Sequence, residues 1–353
     1  MTIGKFLGAL LIGLAFFLAA TSRSHTPPFK NADGGVIETS IAEERRISLG
    51  GAEQYVLIRG VDRSAPLLIF LHGGPGYSAM PFNRLRNADL EQNFVFVNWD
   101  QRGAGYSLSA AKDRTTLTLD QLARDLDELI DILRAEFGQE KVLLIGHSWG
   151  SLLGLEYVSR HPEKAAAYIG VSQMADTAAS ERDVYDWALR QAQMRNDDKT
   201  VQSLEKNGGP PYDSPAKMMA HRRAANKLGG VWYEPKPDWY FAREYLRAEE
   251  FAWPGYWSLV RAGALSLEIL FETFSALDAA ETYPQLNAPV FFIEGRHDHV
   301  VSPKAAEEYL SVLEAPYKEM IWFERSGHMP NWEEPERFNS EVLRIAKQVG
   351  LLE

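Results

Sequence analysis

At 353 residues the chain exceeds the usual reach of one hydrophobic core, so a large domain with an insertion, or two domains, is expected. Hydrophobic residues make up 45% of it, which suits a globular interior, while a formal net charge of −11 with no basic block argues against a nucleic-acid partner. The absence of cysteine rules out a disulfide framework and thiol chemistry.

Lys5 precedes an unbroken apolar run from Phe6 to Ala20, which closes on small residues before the polar Thr21-Ser22-Arg23-Ser24. Residues 1–24 therefore read as an export signal, or as a membrane anchor through residues 6–20, although the run is shorter than the roughly 20 residues that span a bilayer comfortably. Export to the periplasm or medium, or attachment to the membrane, follows, with membrane contact expected only through this segment. Residues 25–41, with Pro27-Pro28 and Gly34-Gly35, read as a linker.

Arg46–Leu49 and Gln54–Ile58 flank Gly50-Gly51, the pattern of a β-hairpin whose turn needs positive φ. Pro66–Leu71 is a buried strand that runs into His72-Gly73-Gly74-Pro75-Gly76, where glycines let backbone amides approach a ligand. Phe94–Trp99 is another strand, leading into Asp100-Gln101-Arg102-Gly103, and Asp100 and Arg102 are expected to pair as a structural bridge. A helix starts at Thr118, whose spacing to Gln121 fits a capping box, and Leu122, Leu126, Leu129 and Leu133 form its inner stripe.

Val142–Ile145 then reads as a strand, and the residues from Ser151 have helical spacing, so Gly146-His147-Ser148-Trp149-Gly150 is a strand-to-helix turn of the form G-x-S-x-G. Ser148 sits at the tip, where side chains two positions either side would collide with strand and helix. With Ala165–Val171 as a further strand, repeated βαβ units predict a mostly parallel sheet flanked by helices, an α/β class. From residue 173 to 288 no run resembles a core strand, and five tryptophans (187, 232, 239, 253 and 257) fall in this stretch. It reads as a helical cap inserted over the C-terminal edge of the sheet, between a domain's two parts at residues 42–172 and 289–353. Pro289–Ile293 and Glu319–Phe323 are the late strands, with helices expected over Pro303–Leu313 and from Pro335.

A serine hydroxyl is a poor nucleophile until a histidine takes its proton and an acid orients the imidazole. Asp298 follows one late strand and His328 the next, so Ser148, Asp298 and His328 would meet on one rim of the sheet. The Trp149 amide, at the start of a helix, and the Gly74 amide are the expected donors to a developing oxyanion. Glu294 is a rival acid at the strand end. His297 and His299 have no third ligand nearby, so no metal is expected. His72 and His147 read as supporting residues.

Together, H-G-G-P-G at 72–76, D-Q-R-G-A-G-Y-S at 100–107, G-H-S-W-G-S at 146–151, G-R-H-D at 295–298 and G-H at 327–328 resemble the proline iminopeptidase branch of the α/β-hydrolase superfamily. The resemblance covers roughly residues 45–172 and 289–350. It implies the α/β-hydrolase fold and a cofactor-free peptidase that removes N-terminal residues, often proline. It also implies Ser148, Asp298 and His328 as the triad, with Gly74 and Trp149 as oxyanion donors. His147 stands where the family commonly has glycine. The family holds the substrate's free amine with cap glutamates, and Glu249, Glu250 and the nearby Trp253 are the candidates here for substrate binding. A small peptide or ester is the expected partner. Without such glutamates the same rim would suit a carboxylesterase or lipase-like enzyme acting on esters or amides that lack a free amine; a binding protein that keeps the fold without catalysis is the third class. Serine at the nucleophile position argues against chemistry that needs a carboxylate nucleophile.

Overall fold

The computed structural model describes residues 24–237 and 239–353. The apolar segment read as a signal or anchor therefore lies outside the described residues. Among those described, no helix is long and apolar enough to cross a membrane.

β1 (Ile41–Leu49) and β2 (Ala52–Gly60) form the expected hairpin. Gly50 and Gly51 turn it at φ 54° and 73°, values that cost other residues strain. The sheet continues with β3 (Leu67–Leu71), β4 (Val95–Trp99), β5 (Val142–His147), β6 (Ala165–Val171), β7 (Val290–Gly295) and β8 (Lys318–Phe323). Its order is β1-β2-β4-β3-β5-β6-β7-β8. β2 runs antiparallel to β1 and β4, and every later pairing is parallel.

Strand side chains alternate between two cores, as the period of two demands. Leu67, Ile69 and Leu71 point into the layer with helices α2 (Leu119–Phe137) and α3 (Trp149–Arg160). Leu68 and Phe70 face the opposite layer, with α1 (Met80–Arg86) and the C-terminal helix at Pro335–Gln348. Thr118 caps α2 by accepting from the Gln121 amide at 3.1 Å. The reciprocal arm of the box is missing, because Gln121 Oε1 accepts instead from Arg124 at 2.8 Å while its Nε2 donates to Asp125 at 2.7 Å. Asp100 and Arg102 do not form the expected pair: Arg102 binds Asp125 with two hydrogen bonds of 2.8 and 3.0 Å and also reaches the Leu49 and Gly50 carbonyls. Asp100 accepts from the Tyr106 amide.

Between β6 and β7 the insertion is helical: α4 (Thr177–Met194), α5 (Asp198–Asn207), α6 (Pro215–Lys227), α7 (Tyr240–Arg247), α8 (Trp253–Ser275) and α9 (Ala279–Thr282). Val184, Ala188, Leu204, Ala225 and Leu228 give it a small core of its own, with Trp187 against it. The α/β-hydrolase architecture implied by the sequence motifs is the one observed.

Candidate active site

β3 has β4 on one side and β5 on the other, so the winding of the sheet reverses there. In open α/β sheets the crevice beyond the strand ends at such a reversal is where ligands bind. The loop after β3 and the turn after β5 both open into it.

Ser148 holds φ 52° and ψ −121°, a strained backbone that presents its side chain at the tip of the turn. The flanking glycines are a steric requirement. A Cβ on Gly146 would stand 2.4 Å from the Gly150 carbonyl oxygen, and one on Gly150 would stand 2.1 Å from that of Leu71. Because these obstacles are backbone, Gly150→Ala is expected to lower stability by about 3 kcal/mol or more, read as a lower urea midpoint at unchanged m-value. A loss below about 0.5 kcal/mol would contradict the close packing of turn and strand.

The three separated residues meet. Ser148 Oγ lies 3.0 Å from His328 Nε2, and His328 Nδ1 lies 2.7 Å from Asp298 Oδ2. Asp298 Oδ1 accepts from the Val300 and Val301 amides at 2.7 and 3.0 Å, which fixes the carboxylate. With Nδ1–H donating to Asp298, Nε2 keeps the lone pair that can accept the serine proton. Burial pushes the Asp298 carboxyl up, but the His328 imidazole and the loop amides outweigh it and hold the group below its ordinary value. Glu294, the rival acid, is fully buried and accepts from the Gln173 amide at 2.7 Å, with no hydrogen bond to His328. Burial drives its carboxyl well up, against the Gln173 amide and with the Asp298 charge adding to the effect.

His147 supports the same site. Its Nε2 lies 2.9 Å from the His328 carbonyl oxygen, which also accepts from Ser172 Oγ at 3.0 Å, so both hold the loop that carries the imidazole. Burial, aided by nearby His328, pushes the His147 imidazole down to about 3. The folded protein thus keeps it neutral where an unfolded chain takes up a proton, so stability from this residue is full above about pH 6.5 and is lost as pH falls toward the folded value. Relative to His147→Gln, the wild type is expected to lose about 2 kcal/mol of urea stability between pH 7.5 and pH 5. An unchanged difference between the two proteins would contradict a neutral buried imidazole.

His72 ties three loops together. Its Nε2 accepts from the Gln101 amide at 3.0 Å, its Nδ1 contacts the Gly73 carbonyl at 2.9 Å, and Gln101 Oε1 accepts from Trp149 Nε1 at 3.2 Å. Trp149 is the first residue of α3, so its N–H has no partner within the helix. Gly74, at φ 124°, borders the same cavity as Ser148.

That cavity measures about 580 Å³, and its walls are chiefly apolar: Phe82, Phe241, Tyr245, Leu259, Met329 and Trp332. Arg222 is the one lysine or arginine among its described lining residues, and no carboxylate is among them. Arg222 is paired with Glu181 and lies 4.8 Å from the centre of the Phe274 ring. Sequence reasoning missed most of this wall, because Phe82, Phe241, Tyr245 and Leu259 come from α1, α7 and α8 and carry no local motif, whereas Met329 and Trp332 follow His328 in the chain. Ser172 was missed too; its φ of 47° is the mark of a special position, but only the structure reveals it.

The two cap carboxylates singled out in the sequence do not line the cavity. Glu250 is buried against Arg84 at 2.6 Å, and Glu249 lies on the surface 3.4 Å from His25. Opposite charge on the core, invisible in the linear sequence, draws Glu250 away from the site. The Trp253 side chain lies outside the described part of the structure. His299 stacks on Trp187 at 3.9 Å, while His297 packs by Tyr233 at 4.8 Å, so the two rings serve different neighbours. Among the described residues no group of His, Cys, Asp and Glu is arranged to hold a metal.

The profile of the alpha/beta hydrolase fold matches residues 66–335. A probable aminopeptidase, YbaC of Bacillus subtilis (strain 168), is 31% identical over 310 residues, covering 87% of this chain and 97% of the relative. A proline iminopeptidase of Heyndrickxia coagulans is 26% identical, covering 77% of this chain and 87% of the relative. Among solved structures, a proline iminopeptidase-related protein from Thermus thermophilus superposes with a TM-score of 0.62 at 24% identity, covering 88% of this chain and 98% of the other.

Proposed function

The chain belongs to the α/β-hydrolase fold family, and from that premise we propose that it is a serine hydrolase of aminopeptidase type, acting on N-terminal residues of peptides through an acyl-enzyme on Ser148. The observation that carries this reading is the hydrogen-bonded chain from Ser148 through His328 to Asp298, at 3.0 and 2.7 Å. Ser148 Oγ attacks the substrate carbonyl as His328 Nε2 takes its proton, and Asp298 stabilises the imidazolium. The amides of Trp149 and Gly74 receive the oxyanion. The tetrahedral intermediate collapses, and His328 returns the proton to the leaving amine. Water, activated by the same imidazole, then hydrolyses the acyl-enzyme and frees Ser148. Relatives named as a probable aminopeptidase and as proline iminopeptidases support the peptide reading.

One observation favours a second reading. The absence of a carboxylate among the described lining residues, with Arg222 present, suits acyl esters or amides that carry no free amine. A paired panel separates the two. Unblocked prolyl and other aminoacyl amides are expected to release a chromogenic amine, with N-acylated counterparts turned over more slowly. Turnover confined to short acyl esters and blocked amides would overturn the aminopeptidase assignment.

A further inference from the structure

Helix α7 has two unlike sides. Tyr240, Glu244 and Tyr245 are buried, and Phe241, Ala242 and Tyr245 border the cavity that holds Ser148. On the outer side Trp239 is 58% exposed and Leu246 53%, seven residues apart and so in line along the helix, while Phe241, 37% exposed, stays on the cavity side. Large apolar side chains left in water forgo the gain of burial, so Trp239 and Leu246, aligned along one side of the helix, call for a partner. The exposed charges on this helix, Arg243 and Arg247, are cations, and both pair with the buried Glu244. Aromatic and leucine side chains flanked by arginine are the composition of helices that lie in the headgroup zone of a bilayer.

A second, independent feature lies at the end of the same helix. The backbone of His25 donates to the Glu249 carbonyl at 3.2 Å, and Thr26 Oγ1 donates to Glu250 at 3.1 Å. Glu250 belongs to a buried ion network that runs through Arg84 and Glu91 to Arg59. Arg59 in turn donates to the Pro27 carbonyl at 2.7 Å and lies 4.5 Å over the Phe29 ring. The stem of residues 24–29 is therefore fixed to the core and to the segment just past α7. The apolar run ends at Ala20, four residues before Ser24, a covalent reach of about 14 Å at most. With a chain charge of −11, most of the surface would be repelled by anionic lipid; the outer side of α7, where Arg243 and Arg247 flank Leu246 and the exposed Glu249 past its end faces His25, is better suited to approach it.

We propose that the outer side of α7, carrying Trp239 and Leu246, seats on an anionic phospholipid bilayer in which the apolar N-terminal run is embedded, which places Phe241 and the mouth of the Ser148 cavity one helix width from the membrane surface. Acyl compounds that partition into the bilayer would then pass round α7 and enter past Phe241, with only a short path outside the membrane. The docking itself does not depend on which acyl bond is cleaved.

The test uses the full chain, reconstituted in vesicles of phosphatidylglycerol and phosphatidylcholine with part of the latter brominated on its acyl chains. Residues 1–23 contain no tryptophan, so quenching of tryptophan fluorescence reports on the folded domain alone. Quenching is expected in the wild type and is expected to fall by about half in Trp239→Phe, which keeps an apolar ring on the face. Leu246→Asp is expected to reduce it further. Absence of quenching in the wild type, or quenching unchanged in Trp239→Phe, would mean that residues 1–23 or a second copy cover this face, and the proposal would fall. An inactive but quenched protein would refute the hydrolase reading and leave the docking intact.

Discussion

Ser148→Ala is expected to lower kcat/KM roughly 10⁶-fold on the best substrate of the panel, with unfolding midpoint and m-value close to wild type. The size follows from the arrangement. Without Oγ there is no atom 3.0 Å from His328 Nε2 to attack the carbonyl, and the imidazole has no proton to take. Binding to the apolar walls and to the proposed oxyanion donors, the amides of Trp149 and Gly74, is expected to survive, so a small residual rate over water remains. Loss of less than about 100-fold in purified variant protein would mean that another nucleophile does the work.

Asp298→Asn is expected to cost about 10⁴-fold in kcat with little change in KM. The carboxylate accepts from His328 Nδ1 at 2.7 Å and is itself held by two loop amides. An asparagine can turn its NH₂ group toward Nδ1, which moves the ring proton to Nε2 and leaves nothing to accept the serine proton. It also removes the charge that stabilises the imidazolium. The control is Glu294→Gln: this carboxyl makes no hydrogen bond to His328, and burial favours its protonated form, so the amide should leave kcat within about threefold of wild type. If Glu294→Gln is the crippling change and Asp298→Asn the mild one, the acid has been assigned to the wrong side chain.

The positions of these groups were legible in the sequence because each sits beside a short-range signature. Gly146 and Gly150 bracket Ser148 since a Cβ at either would strike backbone, and that constraint is written within five residues. Asp298 and His328 follow runs whose apolar character marks β7 and β8, so chain order alone brings them to one rim. Support for the site was less visible. Arg102 lies two residues from Asp100 in sequence and yet pairs with Asp125, because α2 packs its polar edge against the hairpin turn. The cap resisted reading for a related reason. Its helices share no period that fixes how they cross the sheet, so the choice between Glu250 at the cavity and Glu250 in the Arg84 network is made by tertiary packing. Likewise α1 follows a glycine-rich loop and is only seven residues long, too short to announce itself, although Phe82 on it forms part of the cavity wall.

The central claim is that one buried hydroxyl has been made nucleophilic by its neighbours, and covalent trapping reads this directly. Purified full-length protein is incubated with a fluorophosphonate, and the adduct is located by peptide mass spectrometry. The account predicts a single phosphonylated residue, Ser148, with labelling abolished in Ser148→Ala and strongly slowed in His328→Ala. No adduct under conditions that label a serine hydrolase control, or an adduct on a different serine, would contradict it.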